Sequence, residues 1–381
     1  MLRLLLVVAV LLLSIPVSAQ DDVLQDTTLF LTFVPNVQFA PVYVAMEKGY
    51  FAAEGQNVTI EHGDEPVGID LMAAGELDFG IVGADQVIAA RANDRPIVFI
   101  YEWFQTFPIG LVVTKESGIE AITDLVGRHV GVPGRFGATY TGLVALLVAN
   151  GLTENDIIID EIGFNAPDVV CVGAIGASAV YLNNEPLQIE DRIANDNCGV
   201  VTGIRVFPVA DYIDLVSNGL ATTERMIAEE PDRVAGMVRA YHNGLRDVIR
   251  NPAEAYLLAA AHVENLPLSD ALREALVALA VEQNAFLSEH PNVSREQLAA
   301  YRAKLYDTLV EQLPSEDLIQ FRILLATIEF WDADLLGYTE PASWEATQDT
   351  LLMMEFISEP IDLESAYTNE FVPDLGEPPE E

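Results

Sequence analysis

The chain has 381 residues, of which 59 are acidic and 19 basic, so its formal net charge is -40 and its isoelectric point about 4.1. Nucleic acids are held mainly by Lys and Arg, so this charge excludes a nucleic-acid-binding role and disfavours binding to anionic lipid. Apolar residues make up 51% of the chain and the mean hydropathy is +0.26, a composition typical of a globular protein of about two domains.

The first 19 residues predict a cleavable secretory signal. Arg3 precedes an apolar run from Leu4 to Leu13, Pro16 breaks that run, and small residues lead to Ala19. The run is shorter than the roughly 20 apolar residues that span a bilayer. We therefore expect the mature chain to begin near Gln20 and to act outside the cytosolic membrane, either free or tethered by an uncleaved signal.

The chain has two cysteines, Cys171 and Cys198. In an exported protein such a pair favours a disulfide, with two buried thiols as the alternative.

Short apolar strands alternate with amphipathic helices in the first third of the chain. This alternation predicts βαβ units and a parallel or mixed sheet with helices on both faces. The predicted strands are 29–34, 58–61, 79–82 and 96–101, and the predicted helices are 39–51, 67–74 and 85–92.

A second α/β series follows Pro108, and a helical region completes the chain. The β-rich segment 96–113 is expected to cross from one lobe to the other, with a return near 205–212. This division predicts a first lobe formed by 27–108 and 212–375, a second lobe formed by 109–211, and a solvated tail over 376–381. The second series has strands at 111–114, 129–132, 157–162 and 177–182 and a helix at about 138–150; later helices are 224–228, 232–250, 252–263, 269–287, 295–313, 316–331 and 343–356.

Two α/β sheets joined by a hinge leave a cleft between them. Its edges are the carboxyl ends of strands and the amino ends of helices, where ligands bind in such folds. A hinge also lets the lobes close and exclude water. The arrangement therefore suits the capture of a small solute.

Several segments together resemble the SsuA/THI5-like class of periplasmic solute-binding proteins. They are VPNVQFAPVYVAMEKGYFAAEGQNVTIEHG, LMAAGELDFGIVGADQVIAARA, DLVGRHVGVPGRFGATYTGLVALLVANGL and YLNNEPLQI. The resemblance implies a type II periplasmic-binding-protein clamshell, α/β in class, that binds a solute for an ABC importer. It implies a permease and an ATPase as partners, a monomeric receptor, no cofactor and no catalysis.

The identity of the ligand and the choice between a binding protein and an enzyme with the same fold have alternatives. The combination of PNVQFAP, GRFGATYTG and NEP looks most like the riboflavin-binding branch, next to the branch that binds thiamin pyrimidine precursors, with alkanesulfonate or nitrate further away. A fungal pyrimidine synthase branch shares the fold, but it carries a Cys-rich motif that is absent here. The chain also departs from the class in two places: no acidic residue stands at 176–177, and 267–322 is longer than usual, which predicts added helices outside the first lobe.

Three residues of the first lobe are candidates for contact with a ligand. Asn36 directly follows a strand and could donate and accept hydrogen bonds at once, although Asn is also common in turns. Phe39 could form a wall of the cleft or a hydrophobic staple. Gln86 is preferred over Asp85, which is expected to cap the following helix.

Aromatic residues concentrate at the predicted hinge. Tyr101, Trp103, Phe104 and Phe107 lie within seven residues, and strand alternation predicts that Tyr101 and Trp103 face the same side. A planar ligand needs such faces, whereas the alternative is that these rings fill the space between the lobes. The binding hypothesis predicts that Trp103→Ala weakens binding at least about tenfold with little change in melting temperature.

The second lobe supplies the remaining candidates, which lie in a turn between a strand and a helix or at the end of a strand. Gly134 to Tyr140 form a glycine-rich turn without the spacing of a nucleotide fingerprint. The five histidines are scattered, without HExxH or Cys/His clustering, so no metal site is predicted, and no G-x-S-x-G elbow occurs. The candidates here are Phe136, Tyr140, Tyr181, Asn184 and Glu185.

Overall fold

Two five-stranded sheets form the framework of the protein in a computed structural model that describes residues 24–373. The predicted signal and the tail 376–381 lie outside the described residues. No helix among residues 24–373 is long and apolar enough to cross a membrane.

The first sheet has the strand order β2-β1-β3-β10-β4. β1 pairs in parallel with β2 and β3, whereas β10 returns from later in the chain and pairs antiparallel with β3 and β4. The sheet is therefore mixed, as the alternation of strands and helices allowed. Its strands are β1 (Gln25–Thr32), β2 (Gln56–Gly63), β3 (Phe79–Gly83), β4 (Ile97–Glu102) and β10 (Asn218–Thr223).

Helices cover both faces of this sheet because its buried strands are apolar on both sides. Along β1, Leu29 and Leu31 pack under one helical layer while Phe30 packs under the other. The first layer comprises α1 (Ala40–Glu47), α2 (Tyr50–Ala53), α9 (Pro231–Arg250) and α10 (Pro252–Ala259); the second comprises α3 (Glu65–Ala74), α4 (Ala84–Arg91) and α14 (Pro341–Met353).

The second sheet has the order β7-β6-β8-β5-β9 and is covered in the same way. Leu111 and Val113 of β5 pack with α5, whereas Val112 packs with α6 and α7. Its elements are β5 (Ile109–Thr114), β6 (His129–Val132), α5 (Gly137–Ala149), β7 (Ile158–Glu161), α6 (Ala166–Cys171), β8 (Ala177–Tyr181), α7 (Glu185–Ala194) and β9 (Ile204–Pro208).

The return crossing starts later than the sequence predicted. Residues 205–208 belong to β9, which pairs antiparallel with β5 in the second sheet, so the chain crosses only over 209–217. An apolar alternating segment looks the same in an edge strand as in a crossing strand, which is why the pattern did not separate them.

The C-terminal helices do more than extend the outside of the first lobe. α8 (Glu224–Glu229), α11 (Asp270–Glu289) and α12 (Arg295–Val310) precede α13 (Ser315–Trp331). Thr327 of α13 accepts a 2.8 Å hydrogen bond from Asn183 Nδ2, and Arg322 forms a 3.0 Å ion pair with Glu190. Both partners belong to the second lobe, so α13, which begins within the segment 267–322, contacts the second lobe as well as the first.

The predicted disulfide between Cys171 and Cys198 is confirmed. It closes a loop that contains β8 and α7, and both cysteines are buried. We expect the double replacement Cys171→Ser and Cys198→Ser to lower the free energy of unfolding by about 3 kcal/mol, because the unfolded chain gains freedom. Urea denaturation of the wild type with and without reductant is the matched control, and equal midpoints for all samples would contradict the prediction.

Candidate functional site

A cavity lies between the two sheets and is lined by residues of both. The space among its lining residues, counted together with the solvent at its opening, is about 850 Å³. Its walls include the ends of β1, β6, β7 and β8 and the first residues of α3, α5 and α7. The cavity therefore lies at the strand and helix ends that the sequence indicated.

Aromatic rings form much of the wall on the first-lobe side. The Trp103 ring is only 3% exposed and stacks against Phe39, with ring centroids 5.5 Å apart and planes at 28°. Trp331, from the end of α13, also stacks with Trp103, with ring centroids 5.4 Å apart, and Phe104 meets Trp103 edge-on at 4.7 Å. Tight packing holds these rings in place, so the wall is largely preformed.

A further aromatic pair joins the two lobes beside the cavity. Phe33 follows β1 and Phe164 follows β7, and their rings meet edge-on with centroids 4.7 Å apart. Phe33 has a φ of 74°, in the left-handed region that disfavours residues with a side chain. Since both residues line the cavity, this contact helps to enclose it.

Polar groups converge around Tyr181 at the end of β8. The Tyr181 hydroxyl donates a 2.7 Å hydrogen bond to Asn218 Oδ1 of the other lobe. Glu185, the first residue of α7, accepts a 2.9 Å hydrogen bond from the Tyr181 backbone N–H, and Asn184 Nδ2 lies 3.5 Å from its other oxygen. Burial raises the pKa of Glu185 to about 7, against the lowering effect of hydrogen bonds from the backbone N–H groups of Glu185 and Tyr181.

A second acidic group on the cavity wall is Glu65, which sequence reasoning missed. It is the first residue of α3 and is followed by Pro66, just as Glu185 is followed by Pro186 at the start of α7. The repeated Glu-Pro at a helix start after a strand was the available signal. Burial, followed by the charge of nearby Asp85, raises the pKa of Glu65 to about 8.

The structure brings six of the ten predicted binding residues to the cavity wall. They come from both lobes, and their role in binding stays a prediction. The six are Phe39, Trp103, Phe136, Tyr181, Asn184 and Glu185. Other wall residues that the sequence did not single out include Thr32, Phe33, Gln38, Thr139, Phe164 and Asn218.

The side chains of two of the remaining four candidates form hydrogen bonds with neighbouring residues in the chain. Asn36 Oδ1 accepts a 3.0 Å hydrogen bond from the Gln38 N–H and caps the short helix Val37–Phe39, as in the turn alternative. Gln86 Nε2 donates a 2.9 Å hydrogen bond to Asp85. The expectation for Asp85 is wrong, because it lies inside α4, whose N-cap is Gly83.

Tyr101 and Tyr140 also lie away from the cavity wall. Strand β4 ends at Glu102, so its alternation does not extend to Trp103, and Tyr101 packs edge-on against Tyr241 in the core of the first lobe. The Tyr140 hydroxyl donates a hydrogen bond to Glu154, and neither residue lines the cavity.

Two mixed α/β sheets that enclose a cleft in this way define the two-lobed fold of periplasmic solute-binding proteins. The alkanesulfonate-binding protein SsuA from Xanthomonas axonopodis pv. citri has a similar structure, with a TM-score of 0.51 and 15% identity over 71% of this chain and 95% of that one. The chain belongs to the NMT1/THI5-like family, whose model matches residues 36–255.

Proteins similar to this chain in sequence include both binding proteins and enzymes. The chain is 30% identical over 366 residues to the riboflavin-binding protein RibY of Chloroflexus aurantiacus, covering 94% of this chain and 89% of that protein. It is 27% identical to the formylaminopyrimidine-binding protein of Halalkalibacterium halodurans, covering 72% and 81%. It is also 25% identical to the 4-amino-5-hydroxymethyl-2-methylpyrimidine phosphate synthase of Legionella pneumophila, covering 63% and 74%.

Proposed function

We propose that this protein is the extracytoplasmic solute-binding component of an ABC importer and that its solute is riboflavin. The observation that carries the proposal is the inter-lobe cavity, which combines an aromatic wall with polar groups from both lobes. The similarity to RibY over 94% of the chain supports the same solute. The signal predicted over residues 1–19 would direct the chain out of the cytosol, where it would act as a monomer and deliver the solute to a permease and its ATPase.

The chemistry of the cavity suits a flat heterocycle with polar edges. Rings such as Trp103 and Phe39 offer apolar faces, and each well-placed aromatic contact contributes about 0.5 to 1.5 kcal/mol beyond area burial. Glu185 and Asn184 offer acceptors and donors for ring N–H groups or ribityl hydroxyls. A ligand held by groups of both lobes also favours the closed arrangement, because it gains contacts there that one lobe alone does not offer.

Binding without turnover fits this chain better than synthase chemistry. The fungal synthase branch carries a Cys-rich motif, whereas both cysteines of this chain are joined in a disulfide within the second lobe. We therefore propose a receptor that releases its ligand unchanged and needs no cofactor.

Titration of riboflavin into the purified protein tests the proposal. We expect quenching of flavin fluorescence that saturates at one equivalent, because stacking against the ring wall quenches the bound flavin. Recovery of unaltered flavin after denaturation would support a receptor, and a flavin product would contradict it.

Binding measurements on the same preparation distinguish riboflavin from the competing solutes. Formylaminopyrimidine is a specific second candidate because of the binding-protein relative from Halalkalibacterium halodurans. Absence of quenching together with calorimetric binding of a pyrimidine precursor would replace riboflavin by that class, and binding of an aliphatic sulfonate instead would refute both.

A further inference from the structure

Glu65 reaches across the boundary between the lobes. Its side chain is only 4% exposed, lines the cavity, and accepts a hydrogen bond from the Gly83 N–H through Oε1. The other oxygen lies so close to the start of α5 that a Cβ at Gly137 would come within 2.6 Å of it. Glycine at this position, with a φ of +68°, lets the carboxyl group contact the second lobe.

A second buried carboxyl group stands beside it. Asp85 Oδ2 accepts hydrogen bonds of 2.9 Å from Gln86 Nε2 and from Thr141 Oγ1 of α5. A Cβ at Gly83 would overlap Asp85 Oδ1 and approach Glu65 Oε1 to 3.2 Å, so the two acids converge on one point. Among residues 24–373, neither carboxyl group forms an ion pair with a lysine or arginine.

The surroundings place a proton on this pair. Two adjacent buried carboxylates without a cation cannot both ionise at neutral pH. Asp85 receives two side-chain donors, which favour its charged form, whereas Glu65 receives a single backbone donor and has no donor at Oε2 among the described residues. The proton therefore resides on Glu65, whose pKa is raised to about 8 by burial and then by the Asp85 charge.

The other groups that face Glu65 reinforce this assignment. Tyr181 of β8 is neutral, since burial raises its pKa well above the usual value and nearby acidic groups raise it further. Glu185 of α7 lies on the same cavity wall and is acidic as well. No positive group among these neighbours would draw the proton away from Glu65.

We propose that Glu65 is a specificity-determining residue whose neutral carboxyl group donates a hydrogen bond to a carbonyl oxygen of a flat, uncharged heterocycle in the cavity. A protonated carboxyl group is both donor and acceptor, so Oε1 keeps the Gly83 N–H while the O–H serves the ligand. The same pair of acids disfavours anions such as sulfonates or nitrate, because no lysine or arginine within residues 24–373 lines the cavity to balance their charge. This role rests on the proposed function and names the kind of solute that the site selects.

Two substitutions at this position test the role with riboflavin as the probe. Glu65→Gln keeps the acceptor for Gly83 and a neutral donor of the same reach, so we expect its affinity at pH 7 to stay within about threefold of wild type. Glu65→Ala removes both groups and is expected to weaken binding at least about tenfold. Melting temperatures of the ligand-free proteins show whether each variant folds, and Glu65→Gln keeps the test valid if Glu65→Ala does not.

The dependence of riboflavin affinity on pH distinguishes this role from a merely structural one, which would leave it unchanged. Above pH 8, where Glu65 loses its proton, the wild-type affinity should fall, approaching tenfold per pH unit, whereas the affinity of Glu65→Gln should stay level. If the wild type binds riboflavin but Glu65→Gln shows the same alkaline loss of affinity, the role of Glu65 alone is overturned. Full affinity in Glu65→Ala would overturn it as well. No riboflavin binding by the wild type would overturn the proposed function and this role together.

Discussion

Replacing Trp103 by alanine is expected to lower the free energy of unfolding by about 3 to 5 kcal/mol and to weaken ligand binding by at least about tenfold. Trp103 is 3% exposed and stacks with both Phe39 and Trp331, so its removal leaves a large hole in a packed aromatic cluster. The structure thus corrects the sequence-based expectation of an unchanged melting temperature. Urea denaturation and fluorescence titration of the same preparation measure the two effects.

A smaller substitution separates binding from stability. Trp103→Phe keeps an aromatic face and removes an indole N–H that has no hydrogen-bond partner among residues 24–373, so we expect it to cost less stability than alanine. Its matched control is Trp331→Phe, since Trp331 stacks with Trp103 and is absent from the cavity wall. We expect the affinity to fall more in Trp103→Phe than in Trp331→Phe at a similar stability loss; the reverse order would argue against Trp103 as a contact.

Replacing Glu185 by alanine is expected to weaken binding by about tenfold to a hundredfold while the protein stays folded, since a buried hydrogen bond to a charged group contributes about 1.5 to 3 kcal/mol. The residue lies on the cavity wall beside Tyr181 and Asn184. Glu190→Ala is a suitable control, because Glu190 lies on the same helix but is exposed and paired with Arg322. Equal affinities in both variants would remove Glu185 from the binding site.

The pH dependence at Glu185 has a definite sign. Its folded-state pKa, raised by burial to about 7, lies above the ordinary value of 4.5, so the folded protein holds this proton longer than the unfolded chain. Stability associated with this group is therefore highest below pH 4.5 and declines as pH rises toward 7. Glu185→Gln should flatten that decline in ligand-free protein, and denaturation midpoints measured between these pH values check it.

Much of the fold followed from local patterns. The alternation of apolar strands with amphipathic helices predicted the strands of the two sheets except β9 and β10, because buried strands and helix faces carry their periodicity in neighbouring residues. The pairing of Cys171 with Cys198 followed from export and cysteine count. Tyr181, Asn184 and Glu185 could be predicted from the sequence because a strand end and a helix start lie next to each other in the chain.

The rest of the site depends on residues that only the tertiary structure brings together. Glu65, Asp85 and Thr141 come from α3, α4 and α5, and their meeting requires that the two lobes face one another. The end of β4 at Glu102 decided that Trp103 reaches the cavity while Tyr101 packs in the core. Strand and helix formation are governed by short-range periodicity, so the sequence alone determined most of the elements and their order. The contacts of the cavity wall depend on where strands end and how the lobes pack, which is decided by long-range contacts.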